Sequence, residues 1–311
     1  MIGTSTCLPM HSGERQGGSM VESSPVPPEC RLCGREKPGK VFDLPVLDGP
    51  YESEIEWTVR SFYRCSNCGY LFVYPLEAER YAKHYAALDA TYHQDHDQET
   101  SRYFLIRKVL EPVPMSCVLD WGCGRGTFLN TFPNNIEKYG VELSSAAALQ
   151  AERRNVHIVS PRDIDGGKFD EYFDAVTAID VVEHVSDLVS FRNTVARALR
   201  PGGTLVLLTG NLDSSVARIL GRYWYYIHYG EHISCLTERA AQEWLEPDFE
   251  TVTIQRVTHH KSSYIALLRT VLIFPVAWMS EKLGLARKLR VSAKLFLDSD
   301  HMLVTARRKG C

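Results

Sequence analysis

A chain of 311 residues has room for one large domain and a smaller one. Its 44% hydrophobic and 23% charged residues exclude a disordered or fibrous chain. A formal net charge of −3 argues against general attraction to nucleic acid, although a local basic patch stays open. Nine cysteines without a secretory signal fit a reducing, cytoplasmic setting and metal ligation better than a disulfide framework.

Residues 1–28 are rich in Ser, Gly and Pro and lack apolar periodicity, which predicts a flexible leader. Residues 29–75 carry Cys30-Arg-Leu-Cys33-Gly34 and Cys65-Ser-Asn-Cys68-Gly69. Each C-x-x-C-G is a tight turn able to present two thiolates to one ion. One such turn can be redox-active or accidental, whereas a matched pair supplies the four sulfurs of a tetrahedral structural Zn²⁺ site. Cys30, Cys33, Cys65 and Cys68 are therefore the expected ligands of a small zinc-binding ribbon. Short strands are expected at 41–44, 58–63 and 70–75. Residues 76–115 read as a helical linker or lid. Its mostly helical stretch runs from Leu76 to about Ala90 with Tyr81 and Tyr85; Tyr92 follows, then an amphipathic helix over Ser101–Glu111 closed by Pro112 and Pro114.

From residue 116 the pattern alternates. Strands are expected near 117–121, 136–142, 156–159, 173–179 and 203–209, with helices near 125–132, 144–153, 188–199 and 238–245. Two more strands should lie at 250–257 and 301–307. This order implies a parallel sheet with helices on both faces. At its start, Cys117 to Leu129 reads as a strand running into a glycine turn that opens a helix. Gly122, Gly124 and Gly126 remove Cβ atoms that would keep a ligand from the backbone, and the first N–H groups of the helix should point into the turn. Dinucleotide enzymes use a similar G-x-G-x-x-G device. Here, however, Asp120 precedes Gly122-Cys123-Gly124-Arg125-Gly126, and Glu142 ends the next strand, where it can accept from both hydroxyls of a ribose.

These residues resemble motif I of the class I S-adenosylmethionine-dependent methyltransferases. Tyr139-Gly140-Val141-Glu142-Leu143-Ser144 is similar to the motif that follows it. The resemblance continues through Phe173-Asp174-Ala175-Val176, Val182-Glu183-His184-Val185 and Leu199-Arg200-Pro201-Gly202-Gly203-Thr204-Leu205. It implies an α/β fold: a Rossmann-like, mostly parallel sheet with an antiparallel seventh strand, behind the zinc ribbon. It also implies S-adenosyl-L-methionine as cofactor, contacted by Asp120, Gly122, Cys123, Gly124, Gly126, Glu142 and Leu143. Asp163 and Ile164, in the loop after the third strand, would reach the adenine; Asp180 would lie where the sulfonium methyl is presented, with Glu183 and His184 at the mouth of the site.

Two cap insertions interrupt the pattern, near 211–237 and 258–299. The first holds an aromatic run from Arg222 to Thr237, able to build an apolar pocket with polar tips. Its Glu231-His232 resembles an E-H-x-x-(aromatic)-(Ser/Thr) stretch of zinc-ribbon sugar C-methyltransferases. It departs from that stretch at Cys235-Leu236, where an aromatic is usual, and at Tyr229-Gly230, which separates His228 from Glu231. The resemblance implies His232 as general base, Glu231 as its orienting partner and His184 as the second choice.

The second insertion holds Tyr264 to Met279, apolar but interrupted by Arg269 and Pro275, too short and broken for a confident membrane span. With Lys282, Arg287, Lys288 and Arg290 after it, a peripheral membrane or lipid-acceptor role stays open beside a helical cap or homo-oligomer interface. The expected function is methyl transfer to a small molecule: a sugar, a nucleotide-sugar or another natural-product or glycolipid intermediate. The rivals are an RNA methyltransferase that reads nucleic acid with the ribbon, and a non-catalytic partner protein. The first would need a basic ribbon, and Arg31, Arg35, Lys37 and Lys40 form only a modest cluster. The second would be free to lose the glycines or Glu142, and both are present.

Overall fold

The computed structural model describes residues 27, 29–35, 37–48, 56–76, 100–228, 231–257 and 300–310. Most of the leader, the segment carrying Tyr81, Tyr85 and Tyr92, and the whole 258–299 insertion with its apolar run and basic cluster lie outside the described residues. Among the described residues, no helix is long and apolar enough to cross a membrane.

Three strands, β1 (Gly39–Asp48), β2 (Glu56–Arg64) and β3 (Leu71–Val73), form an antiparallel meander between and after the two cysteine turns. Helix α1 (Thr100–Leu110) leads into the second sheet. That sheet takes β4 (Cys117–Trp121), β5 (Glu137–Val141), β6 (His157–Ile158), β7 (Phe173–Ile179) and β8 (Leu199–Gly210) as mutually parallel strands. Helices α2 (Ser145–Glu152), α3 (Pro161–Asp165) and α4 (Leu188–Ala198) connect them. After β8 come α5 (Ser215–Leu220), the two-residue strand β9 (Ser234–Cys235) and α6 (Glu238–Leu245). Strands β10 (Phe249–Val257) and β11 (His301–Arg308) complete the seven-stranded order β10-β11-β8-β7-β4-β5-β6. The seventh strand in chain order, β11, runs antiparallel to both β8 and β10.

The apolar runs explain the sheet. Residues of β4 and β7 face helices on both sides, so Val118, Leu119, Ala175 and Val176 are all fully buried. Helix starts follow their side-chain caps: Ser144, Asp187 and Thr237 accept from Ala147, Ser190 and Ala240 N–H at 3.3, 2.9 and 3.0 Å. Strand β8 begins at Leu199 rather than 203, because the chain bulges through Pro201-Gly202 and still pairs Leu199 with Phe173.

Two expectations fail. No α-helix occupies 125–132; the chain makes turns and a single 3₁₀ turn, Leu129–Thr131. Gly122, Gly124 and Gly126 all have positive φ (+77°, +52° and +74°), which a right-handed helix excludes, and Pro133 stops any later start. Asp163 and Ile164, expected in a loop, belong to α3, which Ser160 caps by accepting the Asp163 N–H.

The ribbon is wedged between two partners. Along β2 and β3 the side chains alternate. Tyr63 and Phe72 face the sheet domain, packing with Cys30, Cys65, Cys68, Tyr70, Val182, Leu236 and Ala240. Phe62, Leu71 and Val73 face the other way, into Val216, Leu220, Trp224, Tyr226 and Cys235 of the 211–237 segment. Its short β9 pairs with β3, so that segment supplies the fourth strand of the ribbon sheet.

Candidate functional site

The glycine turn sits at the carboxyl ends of β4 and β5, where an open α/β sheet binds its ligands. Four of its N–H groups bond within the chain. Those of Gly122 and Cys123 both donate to the Val141 carbonyl, at 2.8 and 3.0 Å, and that of Gly126 donates to Cys123 O at 2.9 Å. The Gly124 N–H donates to Glu142 Oε2 at 2.9 Å, while Glu142 Oε1 accepts from Ser144 N at 2.7 Å. The turn is thus held by the Val141 and Cys123 carbonyls and by the Glu142 carboxylate.

The three glycines do different things. A Cβ on Gly122 would lie 2.7 Å from Val181 Cγ2, and one on Gly126 would meet Val156 and Ala151. A Cβ on Gly124 would meet nothing within 4 Å, so of the three this glycine faces open space. Cys123 is buried against Gly140, whose absent Cβ would otherwise stand 2.4 Å from its sulfur.

Asp120 lies on the floor of the turn, 2% exposed, accepting from Thr177 Oγ1 at 2.6 Å. Burial, with the Glu142 charge adding, outweighs the Thr177 hydrogen bond and pushes its carboxyl up to about 7. Leu143, beside Glu142, is 61% exposed, an apolar side chain held at the sheet edge. Asp163 is engaged with Ser160 at the start of α3, whereas the Ile164 side chain is buried in the core.

Val181, which touches Gly122, links this turn to the loop after β7. Asp180 there adopts φ +51° and pairs with Arg102 from α1, and His301 Nε2 lies 3.6 Å from its Oδ1. Burial pulls the His301 ring down, but the Asp300 hydrogen bond and the Asp180 charge outweigh it and raise the ring overall. Next in the chain, Glu183 is fully buried, accepting from Tyr226 Oη and, at 2.9 Å, from Thr209 Oγ1. Burial raises the Glu183 carboxyl.

The two Glu-His dipeptides, 47 residues apart from His184 to Glu231, meet here. The His184 and His232 rings are 4.7 Å apart in a T-shaped contact. A backbone carbonyl only accepts, so His184 Nδ1–H donates to Glu231 O at 2.9 Å and His232 Nδ1–H donates to Tyr226 O at 2.6 Å. In the neutral rings, Nε2 is then the nitrogen able to take a proton. The Glu231 carbonyl thus orients His184, while the Tyr226 carbonyl orients His232.

Two carboxylates, Asp120 on its floor and Glu142 at the neighbouring strand end, therefore stand at this turn. A model of the family described as "Methyltransferase domain" matches residues 92–254, more than half of the chain. The chain belongs to the methyltransferase-domain family. A ubiquinone biosynthesis O-methyltransferase of Bradyrhizobium sp. is 33% identical over 138 residues, covering 41% of this chain and 50% of its own length. A second so named, from Alkalilimnicola ehrlichii, is 27% identical over 161 residues, covering 48% and 61%. The chain thus spans about half the length of the curated relatives it matches. A SAM-dependent methyltransferase structure from Archaeoglobus fulgidus aligns over 70% of this chain and 99% of its own, with TM-score 0.48 and 18% identity, too remote to add to the assignment.

Beyond the methyltransferase domain's glycine turn, the four ribbon cysteines converge with all sulfurs within 4.8 Å of one another. None is in a disulfide. Cys30 and Cys68 sulfurs are 3.9 Å apart, and those of Cys33 and Cys65 are 3.7 Å apart. Four sulfurs at the Zn–S distance of about 2.3 Å in a tetrahedron stand ~3.8 Å apart, so the set fits Zn²⁺. Of the basic cluster nearby, Arg31 stacks over Phe72 and Tyr74, and Lys40 pairs with Asp43 at 2.8 Å.

Reading the sequence alone misses Tyr226, Arg102 and His301. Tyr226 is one of several aromatics in its run, and only the fold singles it out. Its Oη accepts from Gly210 N at 2.8 Å, and a Cβ on Gly210 would lie 2.3 Å from its ring. Gly210→Ala should therefore displace Tyr226 and cost about 1–3 kcal/mol of stability, read as a lower urea midpoint at unchanged slope.

Proposed function

We propose that this protein transfers the methyl of S-adenosylmethionine to a small hydroxylated acceptor: a sugar, a nucleotide-sugar or a related natural-product or glycolipid intermediate. The reading rests above all on one observation: His184, three residues after the Val181 that packs on the glycine turn, meets His232. The cofactor brings an electrophilic sulfonium methyl, leaving the chain to align the acceptor, exclude water and take its proton. Asp120, Gly122, Cys123, Gly124 and Gly126 would line the cofactor cleft, with Glu142 accepting from the ribose through its remaining lone pairs. Leu143 would cover an adenine face, Asp163 and the backbone of Ile164 would border it, and Asp180 would face the methyl.

His232 Nε2 is the proposed proton acceptor, with His184 second and Glu231 holding His184 by its carbonyl. Burial, with the neighbouring His184 charge adding, keeps the His232 ring well below its ordinary range, so the ring is neutral but weakly basic. It therefore suits an acceptor proton that is already acidified: in a sugar or nucleotide-sugar, that of a carbon beside a carbonyl; in another natural product, that of a phenol or an enol. The relatives named as O-methyltransferases favour oxygen; the Glu-His resemblance to sugar C-methyltransferases favours carbon.

Incubation with isotope-labelled cofactor and panels of phenols, sugars and nucleotide-sugars, read by mass spectrometry, tests the class. Failure to label any member, with cofactor bound, would remove the small-molecule reading. Glu142→Ala should lose about 1–3 kcal/mol of cofactor affinity, roughly ten- to a hundred-fold. It also frees the Gly124 and Ser144 N–H groups, so the glycine turn should loosen. Calorimetry giving unchanged affinity would take Glu142 out of the cofactor site. Zinc on Cys30, Cys33, Cys65 and Cys68 belongs to the same proposal, as a closed structural ion.

A further inference from the structure

The ribbon and the paired histidines are joined by short, specific contacts. Cys65 and Cys68 turn the chain directly into β3, and the turn closes with Cys65 N donating to Tyr70 O at 2.9 Å. Strand β3 then meets the residues that follow His232. Val73 N donates to Ile233 O at 2.9 Å, and Phe72 and Leu71 pair with Ser234 and Cys235. Ile233 is clamped from the other side as well, its N–H donating to Glu183 O at 2.9 Å. A single residue therefore ties the ribbon edge to both Glu-His dipeptides.

A second tie runs from the cysteine turn itself. Thr237 Oγ1 donates to Cys68 O at 2.7 Å and accepts from Ala240 N at 3.0 Å as the cap of α6. Gly69 approaches the same side chain so closely that a Cβ there would lie 2.9 Å from Thr237 Cγ2. Ile233, Ser234, Cys235 and Thr237 are all buried, so these bonds work away from water, where losing one is costly.

We propose that the four-cysteine turn pair is a positioning device for the methyl-transfer site: Thr237 and Ile233 carry its order to His184 and His232. This rests on the metal and base readings above and extends them. The ribbon then holds two imidazoles in register, rather than only folding itself. Thr237 and Gly69 are positioning residues, acting through the loop and touching no reactant.

The test uses the full chain, zinc-loaded or stripped with a chelator, and follows the His184 and His232 ring resonances by NMR. Stripping should shift or broaden both, while cofactor affinity measured by calorimetry stays within about twofold. Thr237→Val should keep its zinc and cofactor affinity but lower kcat on the order of 10- to 100-fold, with KM little changed. Thr237→Ser should restore the rate. Should Thr237→Val fail to fold for want of its cap, Gly69→Ala, strained by its φ of +80° and by the 2.9 Å approach to Thr237, disturbs the same junction with the cap side chain intact and should likewise shift both ring resonances and lower kcat. Resonances unmoved by stripping, or a Thr237→Val enzyme with wild-type kcat, overturn the proposal. Resonances that move while His232→Ala keeps its turnover leave the positioning intact and remove only the base.

Discussion

His232→Ala should cut turnover about 10²–10⁴-fold and leave cofactor affinity nearly unchanged, because in the proposed role the ring takes the acceptor's proton and does not hold the cofactor. The rate is to be taken per folded molecule, since the substitution also empties a buried site against Tyr226, whose ring centroid lies 4.3 Å from that of His232. A variant keeping more than about half of wild-type turnover passes the role to His184. The pH profile adds a signature. With the folded ring held well below 6.5 by burial, the acid limb of kcat/KM should lie below pH 6.5 rather than at it. The same depression has a stability consequence. As pH falls below about 6.5 the unfolded chain binds a proton that the folded ring refuses, so stability should decline from there downward. His232→Ala should flatten that decline, as urea titrations at several pH values would show.

Cys65→Ser should abolish zinc binding and unfold the ribbon. Structural zinc contributes about 10–16 kcal/mol in small zinc-folded peptides, more than many whole domains are stable by. Here the damage should spread. Tyr63, Tyr70 and Phe72 share one core with Val182, Leu236 and Ala240, so an unfolded ribbon strips the sheet domain of a buried face. Hydrogen exchange should rise in α6 and in the 231–237 loop as well as in the ribbon. Full metal content in the Cys65→Ser protein would refute the four-cysteine site.

Where burial and periodicity speak together, the sequence was easily read. Val118, Leu119, Ala175 and Val176 lie in continuous apolar runs, and strands were expected where β4 and β7 stand. Helices α4 and α6 were equally plain, because Asp187 and Thr237 cap amphipathic stretches. The turn after β4 misled for a local reason. Glycine permits both a helix start and three positive φ values, and the bonds that fix the turn reach back to Val141 and Glu142 of the neighbouring strand end, contacts with no local sequence signal. Strand β9 was illegible because two residues carry no period; its pairing with β3 is a tertiary fact. Arg102 gave no signal, since its partner Asp180 stands 78 residues away. The candidate base was nameable as a residue, but the Tyr226 carbonyl that orients it was not, because a backbone oxygen has no sequence signature.

The late arrival of β9 imposes a schedule on biosynthesis. Phe72 pairs with Ser234, so about 160 residues separate the ribbon's third strand from its neighbour. At roughly 5–20 residues per second, the nascent ribbon waits on the order of ten to thirty seconds with the edge of β3 unpaired. Leu71, Phe72 and Val73, all buried in the finished protein, stay exposed through that interval as an apolar strand edge of the kind that recruits other chains. The cysteines are complete by Cys68, so an ion captured early can close both turns while the edge waits. Ribosome-stalled chains ending before Ser234 should therefore be sticky and protease-sensitive at β3, more so in zinc-depleted translation, and chains released past Thr237 should not.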